Sequence, residues 1–499
     1  MIKNFKWLFL VSLTLVACSE DDEVITYDST DGMPLTSGTA DFSKYVALGD
    51  SFAAGFSDNA LFIEGQKGAY PNILAQRFAL VGGGEFTTPW MADNIGGFSS
   101  GGVQTPYGVR LYFNGSAPVP VPGISGTDIS THLTGSFNNM GIPGAKVTHL
   151  GFAGYGAANP YFGRIASSAS ASVLSDALAQ SPTFFSLWIG GNDVLGYATS
   201  GGQASSPITP PATFDAAYMG LASQLAAGGR KGVVANLPYV NNLPYFTTVP
   251  TNPIPGLAPA QVAQLNQLFG GINAALAGVG QPPRFATLVA DDGNPATTES
   301  NPLLIVDETL FNISAQITAA LTPTFGAPTA TFLGGLLGQA RHASSAAATR
   351  DYIVLPARTV IGTNQAGAPA PFNVIGVTYP MQDSTTLTAA EALEVKVATD
   401  AYNVTIQNAA TANDLAFVDA KAVLDLLGTT GITGNNYTMT STFVTGGTFS
   451  LDGVHPSPRG YALIANKFLQ AINAKYGSNL NGVSLANYRI LFPMDPNNF

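Results

Sequence analysis

The chain has 499 residues, 46% of them hydrophobic and only 10% charged, so it can bury a large core and does not belong with disordered chains. Its net charge of −11, with no long basic run, argues against nucleic-acid binding, because an acidic surface repels phosphate backbones. One cysteine and four histidines (His132, His149, His342, His455) all but exclude a disulfide framework or a structural zinc site.

The first element is a targeting segment. Lys3 and Lys6 supply positive charge, and Trp7 to Ala17 is apolar but too short for a comfortable transmembrane helix. Ala17 stands just before Cys18, the only cysteine. The pattern resembles a bacterial lipoprotein signal, with residues 1–17 removed and a lipid placed on Cys18. An ordinary secretory signal with an incidental cysteine is the plainer alternative. The acidic run Ser19–Glu23 resembles a surface-export signal of some lipoproteins, or is only a solvated tether. Residues 18–40 read as a flexible, acidic tether. The expected location is the cell envelope, lipid-anchored at the outer membrane on either its periplasmic or its outer face, with the lipid as the only membrane contact.

Beyond the tether, strands and helices alternate. Tyr45 to Leu48 is a short apolar strand, halted by Gly49, Asp50 and Ser51 and followed by small Ala53, Ala54 and Gly55. The spacing of Ile73, Leu74 and Phe78 predicts a helix over Tyr70–Ala79. Residues 85–135, rich in Gly, Pro, Ser and Thr with scattered aromatics, read as an insertion. Phe137–Ala145 is a strand end entering a glycine turn. Phe184–Ile189 is nearly continuous in apolar residues, as a strand buried on both faces would be. A helix over 213–228 leads to a further strand in "KGVVANLP". A second insertion, 245–380, holds apolar amphipathic pieces at Pro259–Ala277 and Leu310–Leu321. Within it, Pro323–Ala340 is apolar and glycine-rich, and reads as packed insertion core rather than a lid. Thr388 and Glu391 form a capping-box pattern at the head of a long helix. Asp414–Ala420 is the last strand, and a helix ending near Lys475 and Gly477 closes the domain. Five strands alternating with helices predict an α/β fold with a parallel sheet covered on both faces. Residues 41–477 form one domain in this reading, and 478–499 form a C-terminal tail.

In an open parallel sheet, reactive groups gather at the carboxyl ends of the strands. Ser51, Gly141 and Asn192 fall at three such ends, and Asp452 and His455 precede the last helix. Ester hydrolysis by a serine needs a base, a group to orient that base, and donors for the tetrahedral oxyanion. His455 is the candidate base. Asp452 is its candidate partner, with Gly453 between them to permit a tight turn. The N–H of Gly141, the amide of Asn192 and the N–H of Ser51 are candidate oxyanion donors. Gly144 is the competing glycine of the same block and reads as a turn residue. Asp50 and Asp193 read as turn or cap residues, and His132, His149 and His342 as surface or packed residues.

These residues fall in four blocks, "GDS" (Gly49–Ser51), "NNMGIPG", "GGND" (Gly190–Asp193) and "DGVHPSPRGYALIA". In that order they resemble the blocks of the SGNH, or GDSL, hydrolase family, and they span residues 45–470. The resemblance implies a three-layer α/β/α, flavodoxin-like fold and an ester hydrolase that uses no metal or cofactor. It implies Ser51, Asp452 and His455 as the catalytic residues, and Gly141 and Asn192 with Ser51 as the oxyanion hole. Gly49–Ala53 lacks the last glycine of the G-x-S-x-G elbow, which sets the chain apart from α/β-hydrolases. The two insertions exceed the compact family core. The expected function is an exported, lipid-anchored esterase or lipase acting on lipid or other acyl esters. The alternatives are a carbohydrate O-acetyl esterase and a surface lipoprotein that binds a ligand on this fold without catalysis.

Overall fold

The structure is a computed structural model that describes residues 33–498 apart from 295 and 297. The leader, Cys18 and the acidic run Ser19–Glu23 lie outside the described residues. The centre of the molecule is a five-stranded sheet of β1 (Tyr45–Gly49), β2 (Asn139–Gly141), β3 (Phe184–Trp188), β4 (Lys231–Ala235) and β5 (Ala416–Val418). Its spatial order is β5-β4-β3-β1-β2, and every pairing is parallel. All residues of β1 and β3 are buried, as their unbroken apolar runs require.

The order has a functional consequence. From β1 the chain moves to one side to form β2, then crosses back to form β3 on the other side. The strand order thus reverses between β1 and β3, and a crevice opens beyond their carboxyl ends. In register, Gly49 of β1 lies between Gly141 of β2 and Trp188 of β3. Ser51 begins two residues past that point.

Helices pack on both faces of the sheet, and those that matter below are α1 (Ser51–Ala54), α2 (Tyr70–Ala79), α3 (Asn192–Thr199), α4 (Pro211–Ala226), α5 (Pro259–Gly278), α6 (Ser314–Phe325), α7 (Ala327–Leu337), α8 (Ala389–Ala412), α9 (Ala420–Leu427) and α10 (Pro458–Tyr476), of which α5, α6 and α7 belong to the second insertion. α2 and α10 pack together through Tyr70 stacked on Phe468, and both rings meet Trp188 of β3. α4 and α8 pack through Phe214 stacked on Tyr402, with centroids 3.9 Å apart. The predicted capping box is present, with Thr388 and Glu391 exchanging hydrogen bonds at the head of α8. Gly477, at φ 69°, ends α10 in the left-handed conformation that glycine adopts without strain.

Both insertions pack onto the domain. In the first, Arg110 is fully buried and donates to the carbonyls of Asn94 and Pro493, each at 2.7 Å. The insertion and the C-terminal tail are therefore tied together, and Phe492 of the tail packs against Phe62. In the second, Gly326 joins α6 to α7, and Gly334 lies so close to α6 that a Cβ would sit 2.1 Å from Thr318 Oγ1. Leu333 and Leu337 are buried there, in keeping with a packed role for 323–340. α6 starts later than the apolar pattern suggests, because the Asn312 side chain accepts the Ser314 N–H and turns the chain there. Among the described residues, no helix is long and apolar enough to cross a membrane.

Candidate active site

Ser51 is the first residue of α1, a single helical turn set across the ends of β1 and β2. Asp50 caps that turn by accepting the Phe52 N–H at 3.0 Å. The crowding explains the small residues. A Cβ on Gly49 would lie 2.5 Å from the Trp188 carbonyl oxygen and 2.8 Å from Ala53 Cβ. α1 therefore lies almost in contact with the sheet, and Ser51 is fixed by it.

His455 arrives from the loop before α10. Its Nε2 lies 2.8 Å from Ser51 Oγ, and its Nδ1 lies 2.9 Å from Asp452 Oδ2. Asp452 Oδ1 accepts the N–H groups of Val454 and His455, each at 2.8 Å, and Asn59 donates its N–H to Oδ2 at 2.9 Å. Burial pushes the Asp452 carboxyl upward, but the neighbouring imidazole and these hydrogen bonds outweigh it, and the group sits below the usual carboxylate range. With Asp452 ionised, Nδ1 carries the proton and Nε2 faces the serine hydroxyl as an acceptor. Gly453, at φ 73°, lets the loop turn this tightly against Tyr245. The rings of Phe52 and Phe56 flank the imidazole, with centroids 5.4 and 4.6 Å away.

The oxyanion assignment needs one correction. Gly141 is buried, and its N–H is already donated to Asn139 Oδ1 at 3.0 Å. Its missing side chain serves packing, because a Cβ there would lie 2.2 Å from the Ala54 nitrogen. Gly144 takes its place as the candidate. It is exposed, sits at φ 79°, has open space where a Cβ would project, and its N–H has no partner among the described residues. The signal was present in sequence, since a Pro-Gly pair marks a turn whose glycine adopts positive φ. The Ser51 N–H, at the first position of α1, is also unpartnered among the described residues. Asn192 opens α3 and donates through Nδ2 to the Ala145 carbonyl at 3.0 Å. That bond holds its amide beside the Gly144 turn, and an amide nitrogen has a second N–H to offer.

The remaining polar residues have other places. Asp193 Oδ2 accepts the Val147 N–H at 2.9 Å, and burial pushes its carboxyl up to about 6. Burial likewise pushes Asp50 up to about 7, against the pull of the Phe52 N–H and of His455. His132 is exposed, and its Nδ1 lies 3.1 Å from the Gly163 carbonyl. His149 accepts the Lys146 N–H, and His342 is buried and accepts the Ala286 N–H. None of these three joins the site.

A feature that no sequence pattern announced lies next to Ser51. An apolar cleft runs between the sheet ends, α9 and α10. Both neighbours of Ser51, Asp50 and Phe52, line it, as do both neighbours of His455, Val454 and Pro456. Leu243, Val423 and Leu427 form its apolar wall. A lining of this kind suits a hydrocarbon chain.

A family model described as "GDSL-like Lipase/Acylhydrolase" matches residues 45–282. The matched stretch includes Ser51, Gly144 and Asn192, while Asp452 and His455 lie beyond it and are brought in by the fold. No curated protein and no solved structure matches the chain.

Proposed function

The chain belongs to the SGNH/GDSL hydrolase family and is a hydrolase of esters, and on that premise we propose that Ser51, His455 and Asp452 form a nucleophilic triad acting through an acyl-enzyme. His455 Nε2 takes the Ser51 proton as Oγ attacks the ester carbonyl, and Asp452 holds the imidazole and stabilises the imidazolium. The N–H groups of Ser51 and Gly144 and the amide of Asn192 receive the oxyanion. His455 then returns the proton to the leaving alcohol, and water, activated by the same imidazole, releases the acid. The observation that carries this reading is the pair of contacts at 2.8 and 2.9 Å on the two nitrogens of one imidazole.

The cleft beside Ser51 supports a substrate with an acyl chain longer than acetyl. Its wall offers apolar contact and almost no hydrogen-bonding groups, whereas a sugar would need many. Residues 41–477 act as one hydrolase domain. The leader and Cys18 export the enzyme and anchor it by lipid at the outer membrane, and the tether sets it off the surface.

The test is labelling of the purified chain by a fluorophosphonate probe, beside Ser51→Ala and His455→Ala. Labelling that requires both residues is expected. A folded chain that does not label would point to ligand binding without catalysis. Turnover confined to acetyl esters would favour a carbohydrate O-acetyl esterase. Lipid labelling in cells that is lost in Cys18→Ser tests the anchor.

A further inference from the structure

Three carboxylates meet beside the loop that follows α3. Glu308 comes from the second insertion, Asp383 from the segment before α8, and Glu391 from the first turn of α8. One oxygen from each lies within 4.8 Å of the other two. Glu391 is only 4% exposed. Its Oε2 is used by the Thr388 N–H and hydroxyl, at 2.7 and 2.8 Å, but its Oε1 is buried without a hydrogen-bond partner. Asp383 Oδ1 is also buried and unpartnered. Among the described residues, no lysine or arginine pairs with any of the three. The nearby Arg341 is engaged by Asp307 and Asp351, at 2.7 and 2.6 Å.

Buried carboxylate oxygens without donors are costly unless something positive or a proton meets them. We propose that Glu308, Asp383 and Glu391 bind a calcium ion. Calcium takes six to eight oxygen ligands, carboxylates among them, at about 2.3–2.6 Å in a flexible arrangement, so three carboxylate oxygens within 4.8 Å of one another can share one ion. Water and main-chain carbonyls complete a shell of this kind. The loop that follows α3 passes over the site, and a Cβ on Gly202 would lie 2.0 Å from Glu391 Oε1. The ion would therefore join the second insertion to α8 beneath the loop that ends the Asn192 helix. Its role is structural, and the site is separate from the triad.

The full-length purified chain, stripped with EGTA, is titrated with calcium chloride by equilibrium dialysis and by thermal melting. One calcium per chain is expected, with a melting temperature about 2–5 °C higher in saturating calcium than in EGTA. Glu308→Gln, at an exposed position, and Asp383→Asn should each weaken binding about tenfold or more and shrink the shift. Glu391→Gln also disturbs the α8 cap, so the first two variants carry the test. Equal melting in calcium and EGTA with no bound calcium would overturn the proposal and leave shared protons as the way the cluster is neutralised. Calcium affinity unchanged in Glu308→Gln and Asp383→Asn would overturn it as well.

Discussion

Asp452 holds His455 twice, by Oδ2 on the ring Nδ1 at 2.9 Å and by Oδ1 on the main-chain N–H at 2.8 Å. One carboxylate thus sets both the course of the loop and the tautomer of the imidazole. In Asp452→Asn an amide N–H must face either the ring or the main chain. Ester turnover is expected to fall about 10³–10⁴-fold. Steady-state hydrolysis of a chromogenic ester reads this directly, and turnover within tenfold of wild type would remove Asp452 from the triad.

The two glycines of the β2 turn allow packing to be separated from the proposed oxyanion role. Gly141→Ala pushes a methyl group into the α1 backbone, so it should cost several kcal/mol of stability, as overpacked backbone contacts do. Gly144→Ala meets no atom and pays only for its positive φ, about 1 kcal/mol. Urea unfolding beside turnover distinguishes them. Gly144→Ala should lose activity out of proportion to stability, through displacement of its N–H.

Asn192→Ala removes a donor while leaving the β3 end and α3 in place. A drop of about 10²–10³-fold in kcat with a smaller change in KM is expected for an oxyanion donor. A change confined to KM would assign Asn192 to substrate binding instead.

The cleft makes a prediction about chain length. Ala420 lines it at the start of α9 and is partly exposed, so a larger side chain is tolerated there. Ala420→Phe should lower kcat/KM for octanoyl and longer esters about tenfold or more while leaving acetyl esters nearly unchanged. An equal effect on both would place the acyl chain elsewhere.

Stability should decline as pH rises from about 4 to 7. Burial pushes Asp58 up to about 7, opposed by the Leu451 N–H that it accepts, and its Oδ2 has no partner. In the unfolded chain the same carboxyl titrates near 4. Between those values the folded state holds the extra proton, so raising the pH favours unfolding, by at most about 1.4 kcal/mol per pH unit for this group. Asp452, held low, acts in the opposite sense only below pH 4, where its protonation removes stability. Urea unfolding in EGTA at pH 5 and 7.5 should show the decline, and Asp58→Asn should reduce it. Asparagine tolerates the positive φ of 50° at this position.

The sequence alone determined four of the five strands as compact apolar runs ended by Gly, Pro or Asp, while the short β2, Asn139–Gly141, was marked only by its glycine turn. It also pointed to Ser51, Asp452 and His455 as a group, through the order of the blocks that carry them. Asp452 and His455 share one turn, and a turn of that size is a local matter of spacing and one glycine. What it left to the tertiary structure depended on residues remote in the chain. The Pro-Gly pair marked Gly144 as a turn residue, but only the Asn139 side chain, which takes the Gly141 N–H, and the close approach of α1 decided between the two glycines. The cleft is made by residues from positions 50 to 468, which no local pattern connects. Glu391 reads in sequence as a helix-cap residue, nothing local connects it with Glu308 or Asp383, and only folding brings the three carboxylates together.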